Sequence, residues 1–546
     1  MDALAQKTDY AAETIHRWEK MKSYRGLFER QWSEIAKRVL PRADDFIVQR
    51  APGQRREEFI FDSTAQLALP AFAAAMESML TPRTAKWHGL QPVDLELAND
   101  DEVKLYAQRL RDLMFKVRYA PKANFASQSY ECYMGLGAFG TAGLFIQDAL
   151  AGGIRYQAIP LAELFIQEDS AGVVDTVYRK YSLTARQAYQ KWGEKLPEAI
   201  AKCVEKEPER RFDFIHAVRP NTELKRGAKD YRGMAYHACD VAIEGRMEMS
   251  VGGYRTMPYA VSRYTTSPRE VYGRSPAWDA IADIKTLNEM SKTSLRYGQL
   301  VTDPPWITAD VDSLAPFSMR PGSINAGYMN EQGQVLAKSL APDTNPNFTL
   351  EMANQRRESI NRAFLITLFQ ILVDTPQMTA TEAMLRAQEK GALLAPTIGR
   401  QQSEFLGPII TRELDILQAA GALPEAPEAL KRKGGYLEIV YDSPLTRAQK
   451  AEEGVGIMRT LEALGSLAQY DPSVLGVVNA ERTFRKLADI NGAPLEMINT
   501  PEEMQAKVDA QQQAAQMQQM LEAAPVAAQT AKTMAEAGAV AQQARF

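Results

Sequence analysis

The spacing of apolar positions changes along the chain, and the changes outline its architecture. From residue 10 to 40, Ile15, Trp18, Met21, Leu27, Trp32, Ile35 and Val39 recur at roughly helical spacing, and Pro41 stops the run. A second helix is expected over LALPAFAAAMESMLTP, capped by Asp62 or Ser63 and ended by Pro82. Trp87 follows as a core anchor. A third helix spans 101–119, with Val103, Leu105, Leu110, Leu113, Met114 and Val117 on its apolar side. A fourth runs from about 124 to 133, before the Gly135, Gly137 and Gly140 cluster. Between 142 and 265 the period moves toward two. Strands are expected at 144–146, 154–159, 164–166, 173–181, 234–242, 246–251 and 258–265. Another strand puts Phe212, Phe214, His216 and Val218 on one face. Helices near 184–192 and 196–205 interrupt the series, so this region is an antiparallel-rich α+β arrangement rather than a βαβ array.

The helical period returns over 272–378. Ser275 and Pro276 suit an N-cap and first helical position, and Ala277, Ile281, Ile284, Leu287, Ser291 and Leu295 form a narrow stripe of small and apolar residues. The Asp303-Pro304-Pro305 run ends this helix, so positions 276–300 span about 37 Å. A second helix begins near Asn345-Pro346 and carries Phe348, Met352, Ile360, Phe364, Thr367, Leu368 and Ile371 before Pro376. The proline-punctuated insert 303–344 holds strand-like pieces at 306–308 and 334–336, too much order for a plain coil. Arg356, Arg357 and Arg362 read as a solvated face, with Glu358 and Arg362 paired one turn apart. Beyond 378, Thr379 and Glu382 form a capping box, and the helical pattern continues to about 419 with a kink or break at Pro396 and Pro408. A strand at 436–441 and helices at 445–467, 472–489 and 501–522 follow. The Ala/Gln-rich end from about 523 is a frayed helix or disordered.

With 546 residues the chain is too long for one core. Its net charge of −4 argues against a generally basic nucleic-acid binder. Cys132, Cys203 and Cys239 lack metal or redox spacing and fit a reducing compartment without a disulfide framework. No signal-peptide pattern and no membrane-length apolar run is present. The Walker phosphate loop, the G-x-S-x-G elbow and H-E-x-x-H are also absent. The four histidines, His16, His88, His216 and His237, are scattered, although His216 and His237 could meet on adjacent strands. The glycine cluster at 135–140 follows a helix and precedes a strand, the reverse of a dinucleotide fingerprint, and reads as a turn.

Several separate stretches, in order, resemble the head-to-tail connector, or portal, proteins of short-tailed, T7-like bacteriophages. They are Phe61-Asp62-Ser63-Thr64-Ala65 with Leu80-Thr81-Pro82 and Trp87; Pro258-Tyr259 with Arg263; and Tyr272-Gly273-Arg274-Ser275-Pro276 with its helix. Pro304-Pro305, Met378-Thr379-Ala380-Thr381-Glu382-Ala383 and Ser443-Pro444-Leu445 complete the set. No one of them is specific; the ordered set, covering about residues 10 to 500, is. The resemblance implies an α+β, mainly helical portal fold assembled as a dodecameric ring. In it, 1–271 would be wing, 272–302 and 345–371 stem helices, 303–344 clip, and 372–379 tunnel loop. Residues 380–444 would be a long kinked wing helix and strand, 445–522 crown, and 523–546 tail.

The implied role is structural, without catalysis, metal or cofactor: a channel at one capsid vertex for DNA packaging, retention and ejection. Expected partners are further copies of the chain, major capsid and scaffold proteins, the terminase large subunit, tail adaptor and tail tube proteins, and double-stranded DNA. No membrane insertion is expected. The protein would reside in the virion, after assembly in the host cytoplasm. Trp306, Phe317, Met319 and Tyr328 would present the clip docking surface. Leu372, Val373, Asp374, Thr375, Pro376, Gln377 and Met378 would face the DNA path, although by residue pattern alone they make a plain helix–helix connection. Two other readings stay open at this level: an internal core or scaffold protein of the virion, and an enzyme whose site uses no familiar motif.

Overall fold

The structure is a computed structural model. It describes residues 2–302 apart from 49, 50, 52, 55, 150–152 and 226, and then 306–308, 329, 332–335 and 337–339. It further describes 347–366, 395–490 apart from 435 and 443, and scattered positions between 504 and 514. In chain order, α1 (Asp2–Val39) and α2 (Thr64–Leu80) precede β1 (His88–Pro92), α3 (Leu95–Asn99), α4 (Asp101–Arg118) and α5 (Phe125–Phe139). Next come β2 (Thr141–Ala149), β3 (Gly153–Ile159), β4 (Leu164–Glu168) and β5 (Val174–Thr184). Then follow α6 (Ala185–Trp192), α7 (Glu198–Lys206), β6 (Arg211–Pro220), β7 (Tyr236–Ala242), β8 (Met247–Tyr254) and β9 (Tyr259–Arg263). The remainder comprises α8 (Pro276–Thr302), β10 (Trp306–Thr308), β11 (Ala337–Ser339), α9 (Asn347–Ala363), α10 (Gly407–Ala419), α11 (Glu428–Arg432), β12 (Leu437–Tyr441), α12 (Pro444–Ala468) and α13 (Ala480–Ile490). The mixture of helix and strand is the expected α+β class.

Two compact units are present, and the larger holds residues 1–89, 110–424 and 441–445. Its five-stranded antiparallel sheet runs β4-β5-β6-β7-β8. Alternation along β6 sends Ile215 and Ala217 to one face, where Ile15, Trp18 and Met21 of α1 cover them. Phe212 and Phe214 point to the other face, against Ala185 and Ala188 of α6 and Ile200 of α7. Both helices of this region lie where the sequence predicts them, and α6 begins with a complete capping box between Thr184 and Gln187. Buried Arg25 on α1 donates to the carbonyls of Leu161, Ala162 and Leu164 and lies 4.1 Å from the Phe165 ring centroid. One guanidinium thus ties together three carbonyls at the turn into β4.

A second, three-stranded antiparallel sheet, β3-β2-β9, packs on α5. That helix continues to Phe139, six residues past the expected end, straight through Gly135 and Gly137. The reason is packing: a Cβ on Gly137 would lie 2.7 Å from Leu69 and Phe72 of α2, so the glycine lets two helices approach rather than ending one. The chain does turn at Gly140, with φ +77°. Helix also runs from 395 into a π turn at Gln402–Leu406 and on through α10. Pro408 therefore neither breaks nor ends the helix. It sits in the first turn of α10, and Gly407 N–H reaches back to the Gln402 carbonyl, the five-residue spacing of a π turn.

The smaller unit comprises 90–109, 425–440 and 446–546. Leu97, Val103 and Leu430 form its small core, and β1 pairs with β12. The sequence pattern missed β1, α3 and α11, all five residues long. A single helix expected at 472–489 is a 3₁₀ segment, Pro472–Val477, followed by α13, because Asn479 restarts the helix by accepting the Arg482 N–H at 3.0 Å.

Candidate ring and channel helices

The helix pair α8 and α9 is anchored at a backbone crossing. Gly273 and Gly140 pass so closely that a Cβ on Gly273 would lie 2.2 Å from the Gly140 carbonyl oxygen, and one on Gly140 2.4 Å from the Arg274 carbonyl carbon. Gly273 N–H donates to Thr141 Oγ1 at 2.8 Å, and Arg274 and Thr265 form an antiparallel bridge. Beside the crossing, Tyr272 is buried against Phe28 and Trp32 of α1, with ring centroids 5.5 and 5.1 Å away. Ser275 then caps α8 as expected. Its Oγ accepts the Trp278 N–H at 2.9 Å and donates to the Ala138 carbonyl at 2.8 Å. Asp279, in the first turn, is pushed up by burial, an effect that Arg274 partly offsets.

One polar residue on the buried side of α8 ties in the segment before α2. Asn288 accepts the Phe61 N–H and donates to the Phe59 carbonyl, both at 2.8 Å. Asp62, next in sequence, accepts from Thr64 N–H at 2.9 Å and from Arg357 Nη2 of α9 at 2.9 Å. Ser63 occupies the N-cap position of α2 without a side-chain cap bond, so Asp62 does the capping. Burial pushes the Asp62 carboxyl up, but the Thr64 and Arg357 hydrogen bonds more than reverse it and hold it below the usual carboxylate range. Arg356 pairs with Asp283 across the two helices at 2.7 Å. Of the three arginines read as a solvated face, only Arg362 behaves so, 3.7 Å from exposed Glu358.

The stripe on α8 begins inside the protein and ends outside it. Ala277, Ile284 and Leu287 are buried, Ser291 is half-buried, and Leu295 is 57% exposed. From Thr293 to Thr302 every side chain but that of Tyr297 is exposed, including Leu300 and Val301. After α9 the helical path expected to reach 371 is interrupted at Leu365, whose φ is +60°. In the insert, β10 matches the expected piece at 306–308. Its partner is β11 at 337–339, three residues beyond the expected 334–336, with Val335 bridging Met329.

Trp306 lies on β10. Phe317, Met319 and Tyr328 lie outside the described residues, as do Leu372, Val373, Asp374, Thr375, Pro376, Gln377 and Met378.

The histidines do not converge. His216 stands opposite Asp240 in the sheet and His237 opposite Arg219. The His216 ring meets Tyr259 Oη at 2.6 Å and the His237 ring meets Tyr10 Oη at 2.7 Å. His88 is buried and stacked on Phe115, and His16 is exposed. No cluster of three or more potential metal ligands occurs among the described residues. Among them, too, no helix is long and apolar enough to cross a membrane. Trp87 is the core anchor expected of it, donating to Tyr119 Oη at 3.1 Å.

The model of the bacteriophage head to tail connecting protein family matches residues 11–498, nearly the whole chain. The chain belongs to that family. It is a family of structural connectors, not of enzymes. Among its relatives, a probable portal protein of Bordetella phage BPP-1 is 28% identical over 535 residues, covering 96% of this chain and 95% of the relative. The portal protein of Salmonella phage epsilon15 is 25% identical over 527 residues, covering 95% and 94%. This connector's α8–α9 root was only partly legible beforehand. The segments Phe61-Asp62-Ser63-Thr64 and Tyr272-Gly273-Arg274-Ser275 were singled out, but Asn288 was not. Its one signal is a polar residue one turn after Ile284 on an otherwise apolar stripe.

Proposed function

We propose that this connector is a portal subunit, and that copies of it form a closed ring, a dodecamer by the family resemblance, around a channel for double-stranded DNA at one capsid vertex. The observation that carries the reading is α8. It has 27 residues, hence a length of about 40 Å, and its apolar stripe leaves the subunit's own core halfway along. A lone helix end bearing Leu295, Leu300 and Val301 needs neighbours, and in a ring the same helix of adjacent subunits supplies them. The full-length likeness to two phage portal proteins supports the same assignment.

The charge pattern suits a sliding substrate. Lys285 pairs with Glu34, Lys292 with Glu289 and Arg362 with Glu358, so few cations on the helix pair are left to hold phosphate. Unpaired clusters of Lys and Arg would bind DNA tightly and in a salt-dependent way. The insert between α8 and α9 would be the clip that docks terminase and then tail proteins, through Trp306, Phe317, Met319 and Tyr328. Residues 372–379 would be the tunnel loop. Capsid and scaffold proteins would contact the rest of the ring, which would sit in the virion after assembly in the host cytoplasm.

Native mass spectrometry and negative-stain microscopy of the purified chain test this reading. Closed rings with a central opening are the expected result. A compact monomer at micromolar concentration and moderate salt would refute it.

A further inference from the structure

The α8 root carries an apolar patch that the subunit does not cover. Phe59 is 56% exposed, Phe61 38% and Leu67, one turn into α2, 70%. The backbone around them is fixed: the Phe59 carbonyl and Phe61 N–H are both held by Asn288, and Asp62 by Arg357. These side chains are therefore presented in a defined place. Leu295 extends the patch along α8. It follows Asn288 by seven residues, two helical turns, and so lies on the same face of α8 that grips Phe59 and Phe61. The outer side of α2 offers no charge to interrupt it, since Leu67, Ala71, Ala74 and Ser78 are the exposed positions there. A helix apolar on both sides is normally buried on both.

We propose that this patch, centred on Phe59, Phe61, Leu67 and Leu295, is the flank on which a second copy of the same chain docks. The proposal rests on the ring reading and says where one subunit meets the next. Two features favour a second copy over other occupants. Lys292, over the Phe61 ring at 5.5 Å, is paired with Glu289, and Arg357 with Asp62, which leaves exposed Arg296, beside Leu295, as little positive charge to hold nucleic acid. The patch is also continuous, through Leu295, with the exposed half of α8, whose apolar residues need permanent cover. A neighbour present at equal stoichiometry in every assembled state provides it, whereas terminase and tail proteins bind in turn.

Full-length variants Leu67→Glu and Phe59→Ser test the proposal, with Leu224→Glu as a control at another half-exposed leucine. Each patch variant is expected to keep wild-type circular dichroism and to raise the concentration at which rings form by about tenfold or more, the control leaving it unchanged. Folded patch variants that assemble at the wild-type concentration would overturn the proposal. Against the chance that these variants misfold, Leu67→Cys gives a second readout. Its maleimide labelling should be about tenfold slower in rings than in chains diluted to monomers, and equal rates would overturn the patch assignment. Failure of the ring reading looks different: the unmodified chain would stay monomeric at every concentration, and the patch proposal would fall with it.

Discussion

Glu413 on α10 offers a stringent test of how the larger unit is held together. Its carboxylate is 1% exposed and faces Arg118, which is fully buried at the end of α4. Arg118 Nε donates to Oε1 at 2.9 Å and Nη2 donates to Oε2, while the Tyr156 hydroxyl donates to Oε1 at 2.6 Å. The guanidinium also lies over Trp87 and Phe115, 4.5 and 4.9 Å from their centroids. Burial alone would push the Arg118 guanidinium toward neutrality, and Glu413 more than reverses that. Glu413→Ala therefore leaves a buried cation whose only compensation is aromatic. Breaking such a pair costs ~3–5 kcal/mol, and the rings return at most ~2 kcal/mol. The net expectation is a loss of about 1–5 kcal/mol. Glu413→Gln keeps the shape without the charge and falls between Ala and wild type. The double variant Arg118→Met/Glu413→Leu removes the uncompensated charge altogether and should recover most of the loss, because buried pairs replaced by apolar groups of like volume are often neutral or stabilising.

A chain of two units need not unfold in one step, so the assay must be local. Amide hydrogen exchange of α4 and α10, read peptide by peptide, isolates the effect of the pair. Exchange should rise in both elements in Glu413→Ala and return toward wild type in the double variant. A single variant costing under ~1 kcal/mol, or a double variant worse than the single, would refute the reasoning.

Three other outcomes are expected. Gly273→Ala drives a methyl into the Gly140 carbonyl and should cost more than ~2 kcal/mol, seen as faster exchange at the start of α8; a wild-type profile would show that the crossing can relax. Acid should weaken the five-stranded sheet through His237, which burial, and then Arg219, push down to about 4. Because that value lies below the unfolded imidazole's, the stabilisation is complete above pH ~6.5 and is lost as pH falls toward 4, at up to ~1.4 kcal/mol per pH unit for one proton; His237→Gln should flatten the slope. Asp374→Lys tests the proposed tunnel loop: rings should assemble normally but bind duplex DNA more tightly, in a salt-sensitive way, and package more slowly, whereas unchanged binding and rate would remove the loop from the channel.

Legibility followed the physical cause of each feature. Elements driven by long apolar periodicity, such as α1, α8 and the strands of the five-stranded sheet, could be read from the pattern, because burying one face dictates the period. The five-residue helices α3 and α11 span little more than one turn, too few positions to show a helical period. Glycine misled where it served packing: Gly137 looked like a stop and is a contact with α2, whereas Gly140 really is the turn. At Pro408 the break did not occur: the helix runs on with a π turn just before it, the local irregularity that the bent-helix alternative allows. Ion pairs between distant segments, Arg357 with Asp62 and Arg356 with Asp283, could not be told from solvated arginines without the fold.

The same distinction explains why two short segments carried the resemblance so well. Phe61-Asp62-Ser63-Thr64 and Tyr272-Gly273-Arg274-Ser275 contain little hydrophobic pattern, yet Asp62, Gly273 and Ser275 in them each answer to a contact made at one point. Asp62 must be a short acceptor because it serves Thr64 N–H and Arg357 together. Gly273 must lack a Cβ because another backbone occupies its place. Ser275 must both donate and accept, to Ala138 and from Trp278, which a hydroxyl can do and a carboxylate cannot. All of these contacts fix the base of α8 and α9, and none reaches their exposed ends. A small error in the angle at the base is magnified along a helix of about 40 Å, so the base is where the contacts are most specific, while in the proposed ring neighbouring copies would cover the ends.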